Sequence, residues 1–149
     1  MQIANILARE RVCFGAEATS KKRVMEIASR LLLENTSYAV TPFRIFDGLN
    51  ARERLGSTGL GDGVALPHAR LEGIDSAVGA LVHLNAGVDF ESPDREPVDI
   101  VFALLVPEHS TDEHLQILSS LASLFNNEKV CAKLRRAGSA EELFRLLTQ

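Results

Sequence analysis

The sequence predicts a single α/β (α+β) domain over residues 1–149, built as a mixed β-sheet between helices on both faces. A chain of this length is most simply one domain. Segments with helical periodicity precede, separate and follow segments with strand patterns, so helices should cover both faces of the sheet. The strands and helices do not alternate regularly, which favours a mixed sheet over a parallel, doubly wound one.

Two helices are predicted in the first third of the chain. The first spans residues 19–35, and either Thr19 or Ser20 can cap it. The second begins at Thr41, with Pro42 in the first helical position, where a missing N–H is harmless. The first helix carries an apolar stripe at helical spacing, formed by Val24, Ile27, Ala28, Leu31 and Leu32.

Three segments have strand patterns: residues 64–67, 77–84 and 98–106. Pro67 lacks the N–H that a strand ladder needs and should end the first of them. Residues 98–106 are almost entirely apolar, which predicts burial on both faces and a central place in the sheet. A polar connection with two prolines, residues 89–97, separates the second and third strands.

Three helices are predicted after the last strand. The first begins near Thr111, the second covers residues 128–137, and the third covers residues 140–147. Ser139 is the predicted cap of the third. The first of the three is predicted to bury Leu115, Leu118, Leu121, Ala122 and Phe125.

Composition excludes several classes of protein. The chain is 46% hydrophobic and 24% charged, which is ordinary for a soluble globular domain. Its formal net charge is −4 and its basic residues are scattered, so no nucleic-acid partner is expected. No apolar run approaches the roughly 18 residues of a membrane span, and no signal peptide is evident. We therefore expect a cytoplasmic protein, not embedded in a membrane, in which Cys13 and Cys131 are reduced and half-buried.

A glycine-rich stretch, GSTGLGDG at residues 56–63, has four glycines in eight residues. A nucleotide-binding loop follows a strand and opens a helix, whereas this stretch follows a helix and precedes a strand. One alternative is a flexible turn, for which one or two glycines would suffice. Four glycines indicate either that the backbone approaches another group closely or that its N–H groups face an anion, which predicts phosphate binding by Ser57, Thr58, Gly59 and Gly61.

His68 is the first candidate catalytic residue. It follows Pro67 at a strand end, and a neutral imidazole is a competent nucleophile. Either Arg52 or Arg54, at a predicted helix end, could clamp a phosphoryl group, and we favour Arg54 because it leads into the glycine-rich turn. His114 falls in the first turn of a helix, where a neutral ring could donate one hydrogen bond to the same group; an exposed surface histidine is an equal alternative.

No metal or cofactor is predicted. His109 and His114 are five residues apart, and the sequence has neither an HxxxH motif nor a Cys/His cluster. We interpret His83 and His109 as structural.

Two strings carry a resemblance to a known family: LNARERLGSTGLGDGVALPHAR at residues 49–70 and FALLVPEHSTDEHLQILSSLA at residues 102–122. They resemble IIA proteins of the phosphoenolpyruvate:sugar phosphotransferase system, fructose/mannitol class, and most closely its nitrogen-regulatory branch. Ala69 stands where that family more often has glycine. The resemblance implies a mixed sheet between helical layers and a phosphoryl group accepted by His68 as a tele-phosphohistidine. Arg54 and His114 would lie beside it.

The resemblance also implies partners. The donor would be an HPr-like phosphocarrier, with Ser57, Thr58 and Gly59 lining the pocket and Leu60 and Leu66 as candidate contacts. Potassium transport systems, sensor kinases and metabolic enzymes would read the phosphorylation state. The chain ends at residue 149 without a linker to a IIB or IIC domain, in agreement with a free-standing regulator.

Three alternatives remain. The first is a sugar-specific IIA component that passes phosphate to a IIB protein, and the second is a binding module that needs no phosphate. The third is a hydrolase with His68 as base, which lacks a carboxylate or serine partner for a triad.

Overall fold

The computed structural model describes residues 2–110 and 112–149, which form one mixed sheet with helices on both faces, as the sequence predicts. The strands are β1 (Leu7–Ala16), β2 (Gly59–Gly61), β3 (Val64–Ala65), β4 (His68–Leu71), β5 (Val78–Val88) and β6 (Val98–Pro107). The helices are α1 (Lys21–Leu31), α2 (Pro42–Glu53), α3 (Asp112–Phe125), α4 (Glu128–Arg136) and α5 (Ala140–Thr148).

Hydroxyl side chains cap three of the helices at the predicted positions. Ser20 Oγ accepts from the N–H of Arg23 at the start of α1, which settles the choice between Thr19 and Ser20. Thr41 and Ser139 do the same for α2 and α5. Each cap satisfies an N–H group that the helix itself leaves without an acceptor.

The order of strands in the sheet is β1-β5-β6-β3-β2, with β4 also paired to β6. β6 runs antiparallel to β5 and parallel to both β3 and β4, so the sheet is mixed. Strand β6 is buried on both faces, as its apolar sequence predicts. Its odd positions Val101, Ala103 and Leu105 pack toward α1 and α2, and the alternate residues pack toward α3, α4 and α5.

Strand β1 was not predicted, because charged residues at positions 9–11 interrupt the apolar pattern of its LARERVCFGA sequence. It is an edge strand, paired only with β5 among the described residues, and needs no continuous apolar run. Arg11 is buried there, and its guanidinium donates to the carbonyls of Gly79, Glu34 and Ile6. Three backbone acceptors satisfy a buried cation that the pattern would place in solvent.

The predicted path of the chain around the glycine-rich stretch was wrong in two places, because the structure contains strands β2 and β4 there. Gly59–Gly61 is itself a strand, joined to β3 by a tight Asp62-Gly63 turn in which both residues have positive φ, 55° and 84°. Pro67 does not end the ladder, because its carbonyl accepts from Leu104 N–H at 2.9 Å. The chain therefore returns to β6 as β4, and His68 opens that strand.

The buried face of α3 differs from the predicted one. Leu121 and Phe125 are buried as expected, but the side chains beside them are His114 and Ile117, and Leu115 is 62% exposed. The predicted helix start, Thr111, lies outside the described residues.

Candidate functional site

His68 lies at the first position of β4, opposite Leu104 of β6, and is half-buried. Its Nδ1 is 2.9 Å from the carbonyl oxygen of Leu66. A carbonyl only accepts hydrogen bonds, so the proton of the neutral ring belongs on Nδ1. The lone pair of the ring is then on Nε2, which is the atom able to attack an electrophile.

The surroundings of His68 keep its ring neutral. Burial lowers the pKa of His68 below its usual value, and the charges of Arg52 and Arg70 lower it further. The hydrogen bond to Leu66 and the carboxylate of Glu53 act in the opposite direction but do not cancel the effect. A neutral ring at pH 7 is the nucleophilic form.

His114 lies in the first turn of α3 with 5% of its surface exposed, so the alternative of an exposed surface histidine is wrong. Its ring centroid is 5.4 Å from that of His68, and the two planes are tilted by 51°. Burial is the main reason that the pKa of His114 lies below its usual value, and the charges of His68 and Arg70 lower it further. Two neutral imidazoles therefore lie side by side.

The arginine charges that lower the pKa of His68 are those of Arg52 and Arg70. Arg52, in the last turn of α2, lowers the pKa of His68, and its Nη1 donates to the carbonyl of Gly56 at 2.9 Å. Arg70 lies two residues after His68 on the same face of β4 and lowers the pKa of both histidines. Arg54 is exposed and is not among the charges that shift either histidine.

The polar groups of the Ser57–Gly59 segment bind other parts of the protein. Ser57 Oγ donates to the carbonyl of Phe90 at 3.0 Å and accepts from Gly59 N–H at 3.1 Å. Thr58 donates to the carboxylate of Glu53 twice, from its N–H at 2.9 Å and from its hydroxyl at 2.7 Å. These contacts fix the segment beside His68, so the N–H groups of Thr58 and Gly59 are not free for an anion.

Sequence reasoning missed the contributions of Glu53 and Arg70. Alternation along a strand beginning at His68 would have placed Arg70 on the same face as the nucleophile. Glu53 lies within the first string that carries the family resemblance, but its role as the acceptor for Thr58 is visible only once its partners are known.

The site holds no predicted metal ligands. Within residues 2–110 and 112–149, no group of three or more His, Cys, Asp or Glu side chains could hold a metal ion. Both cysteines are free; Cys131 is buried, not half-buried, and its thiol donates to the carbonyl of Phe125. Over the same described residues, no helix is long and apolar enough to cross a membrane.

The family model of the phosphoenolpyruvate-dependent sugar phosphotransferase system, EIIA 2, matches residues 5–149. The chain belongs to this EIIA 2 family. The match covers both helical layers, the whole sheet and every residue of the site described above.

Relatives that match this EIIA protein over nearly its whole length place it in the nitrogen-regulatory branch. It is 42% identical to the nitrogen regulatory protein of Pseudomonas aeruginosa, over 99% of this chain and 95% of that one. It is 40% identical to the nitrogen regulatory protein of Escherichia coli, over 99% of this chain and 90% of that one. The crystal structure of nitrogen regulatory protein IIA-Ntr from Neisseria meningitidis superposes with a TM-score of 0.91 at 43% identity, covering 98% and 99% of the chains.

Proposed function

We propose that this EIIA protein is a regulatory phosphocarrier, in which His68 Nε2 accepts a phosphoryl group from the phosphohistidine of an HPr-like carrier. The observation that carries the proposal is the 2.9 Å contact between His68 Nδ1 and the Leu66 carbonyl, which leaves the Nε2 lone pair available. Membership of the EIIA 2 family supports the identity of the donor system.

The reaction is a transfer between two imidazoles. The Nε2 lone pair of His68 forms the new N–P bond, and the electron pair of the donor's N–P bond returns to the donor ring. The His68 proton stays on Nδ1, which donates it in the hydrogen bond to the Leu66 carbonyl, and this bond helps to hold the ring as positive charge develops. Such transfers depend on positioning and charge stabilisation more than on proton transfer.

The phosphoryl group would meet cationic and hydrogen-bonding groups next to His68. It adds about −1.5 to −2 charges, taking other phosphorylated side chains as a guide. The guanidinium groups of Arg52 and Arg70 offset this charge, and His114 can donate one hydrogen bond from its ring. We therefore assign to Arg52 the role that the sequence suggested for Arg54.

The partners of this EIIA protein would read the phosphate through the surrounding surface. Leu60 is 44% exposed and remains a candidate contact, whereas Leu66 is only 4% exposed and is too buried for that role. Leu115 directly follows His114, and Leu55 lies two residues after Glu53; both are exposed apolar side chains suited to docking a carrier. By family resemblance, we expect this protein to be cytoplasmic and its regulated partners to be potassium transport or sensor-kinase proteins.

A sugar-specific IIA role is the second candidate, because the family model itself is described as a sugar phosphotransferase component. Phosphate chase from the labelled protein to candidate IIB proteins separates the two. Rapid transfer to a fructose or mannitol IIB protein would support the sugar role, and retention of the phosphate supports the regulatory one.

The phosphocarrier role is tested by incubation with phosphoenolpyruvate, its transferase and an HPr-type carrier. We expect one acid-labile, alkali-stable phosphate per chain, absent in His68→Ala and retained in the matched control His109→Ala. His109 is exposed and lies in the loop after β6. No label, or label that survives in His68→Ala, would overturn the proposal.

A further inference from the structure

Lys21, the first residue of α1, forms a mostly buried ion pair with Glu53, the last residue of α2. Its Nζ is 2.9 Å from Glu53 Oε1, and the two side chains are 18% and 5% exposed. The same Nζ donates to the carbonyl of Phe90 at 3.2 Å and lies 5.2 Å from the centroid of that ring. A third group, the exposed carboxylate of Glu91, is 3.8 Å away.

Glu53 connects this ion pair to the site. Its two carboxylate oxygens receive both hydrogen bonds from Thr58, so Glu53 holds the segment that follows α2. Lys21 and Ser57 also share one acceptor, the carbonyl of Phe90. Lys21 is thus joined to both hydroxyl residues of the loop beside His68.

A buried carboxylate near His68 creates an electrostatic problem. The charge of Glu53 reaches the His68 ring, where it favours the protonated form. The same charge repels an incoming phosphoryl group, and burial strengthens that repulsion. The Lys21 ammonium, 2.9 Å from the carboxylate, offsets it. The other charges that act on His68 are those of Arg52 and Arg70.

We propose that Lys21 is a positioning residue for phosphoryl transfer, which neutralises Glu53 so that this carboxylate can hold the Ser57–Thr58 segment without repelling the phosphoryl group at His68. The inference rests on the proposed phosphocarrier function. Lys21 itself does not touch the reacting atoms; it acts through Glu53.

The test compares Lys21→Met with Lys21→Arg, and uses Lys22→Met as the matched control, since Lys22 is an exposed neighbour on α1. Lys21→Met should slow transfer from the carrier about tenfold or more, since small misplacements of a reacting group have effects of that size. It should also raise the NMR titration midpoint of His68, because the carboxylate of Glu53 is then unpaired. Lys21→Arg should restore both values, and Lys22→Met should change neither.

A double variant, Lys21→Met with Glu53→Gln, keeps the test decisive if Lys21→Met alone does not fold. Breaking a buried pair on one side is far more destabilising than removing both charges. The glutamine still offers an acceptor to Thr58, so the double variant should fold. It should accept the phosphoryl group faster than Lys21→Met does. If Lys21→Met is unfolded, the double variant should accept it at near the wild-type rate.

Three results would overturn the proposal: wild-type transfer with an unshifted His68 titration in Lys21→Met, failure of Lys21→Arg to restore the rate, or a folded double variant as slow as Lys21→Met. The titration needs no carrier. A wild-type protein that takes no phosphate would contradict the phosphocarrier function, while an unshifted His68 in Lys21→Met would contradict the role of Lys21 separately.

Discussion

At the scale of single residues, the two histidines of the site are prepared by different neighbours. His68 is oriented by the backbone two residues before it, through the contact between Nδ1 and the Leu66 carbonyl. His114 is placed by α3, which buries the ring against the site. Both rings are neutral for the same first reason, namely that burial disfavours the imidazolium form.

The lowered pKa values predict how stability depends on pH. The unfolded state binds a proton at each histidine more readily than the folded state does, because both pKa values are lowered on folding. The contribution of the two neutral rings to the free energy of unfolding is therefore fully present above pH 6.5, the ordinary histidine value, and is lost as the pH falls below it. Urea unfolding at pH 7.5 and at pH 6 measures the decrease in the free energy of unfolding, and this decrease should be smaller in His68→Ala than in wild type. An equal loss in wild type and His68→Ala would contradict the assignment.

The two arginines at the end of α2 predict opposite outcomes for neighbouring substitutions. Arg52→Ala should slow phosphoryl transfer on the order of 10²-fold, as expected when one preorganised donor is removed. Arg54→Ala, its matched control, should transfer normally because Arg54 is exposed and does not act on either histidine. Label-transfer rates of the two folded variants decide between them, and a slower Arg54→Ala would return the role to Arg54.

At the scale of elements, the hairpin of β2 and β3 lies close to the connection between β5 and β6. Gly59 makes this possible, since a Cβ there would overlap Ser92 Oγ and lie 2.8 Å from Ser92 Cβ. Gly63, with φ of 84°, likewise leaves room for Arg135, which donates to the carbonyl of Asp62 at 2.6 Å. These glycines allow the hairpin to pack closely against its neighbours. The sequence indicated a close approach of the backbone but not the residues that it meets.

Gly59→Ala should therefore destabilise the protein by about 1–3 kcal/mol, the usual range for overpacking. Adding Ser92→Gly should recover part of the loss by removing the overlapping atoms. Gly138→Ala is the control, because its added Cβ would have its nearest neighbour at 3.9 Å. Chemical denaturation measures all three, and a Gly59→Ala protein as stable as wild type would be inconsistent with this packing.

Periodicity predicted the elements that bury a continuous apolar face and missed those that do not. Helix α1 and strand β6 carry such faces and both were predicted, although α1 ends at Leu31 and not at residue 35. Strand β1 was missed because it is an edge strand interrupted by charged residues at positions 9–11. Strand β4 was missed because the carbonyl of Pro67, which has no N–H, still accepts a hydrogen bond from β6. Local patterns do not contain these tertiary hydrogen bonds.

The same limit applies to the site. His68 and the first-turn position of His114 follow from local sequence, but the 5.4 Å between their rings depends on how α3 packs against the sheet. The choice between Arg52 and Arg54 depends on the phase of the last turn of α2. One residue changes the face on which a helical side chain lies, and only packing reveals which face meets β4.

At the scale of the whole molecule, the site opens onto a surface with exposed apolar side chains near His114. Leu115 follows His114 directly and is 62% exposed, whereas Phe43 is 74% exposed at the opposite end of α2 from Arg52. Since α2 has 12 residues, it is roughly 18 Å long. The two side chains offer a test of which surface meets the carrier.

Leu115→Ser should raise the carrier concentration needed for half-maximal transfer several-fold, because it removes apolar area from the docking surface, while the unfolding midpoint stays unchanged. Phe43→Ser, an equally exposed substitution away from the site, should leave both values as they are. Equal effects of the two substitutions on transfer would argue against docking around His114.

The central claim is that the phosphoryl group resides on Nε2 of His68, and long-range ¹H–¹⁵N NMR of the phosphorylated protein tests it most directly. Because Nδ1 is held by the Leu66 carbonyl, we expect one histidine to change on phosphorylation, with the N–P bond at Nε2 of His68 and the proton retained on Nδ1. A phosphate on Nδ1 of His68, on His114 or on any other residue would contradict the account.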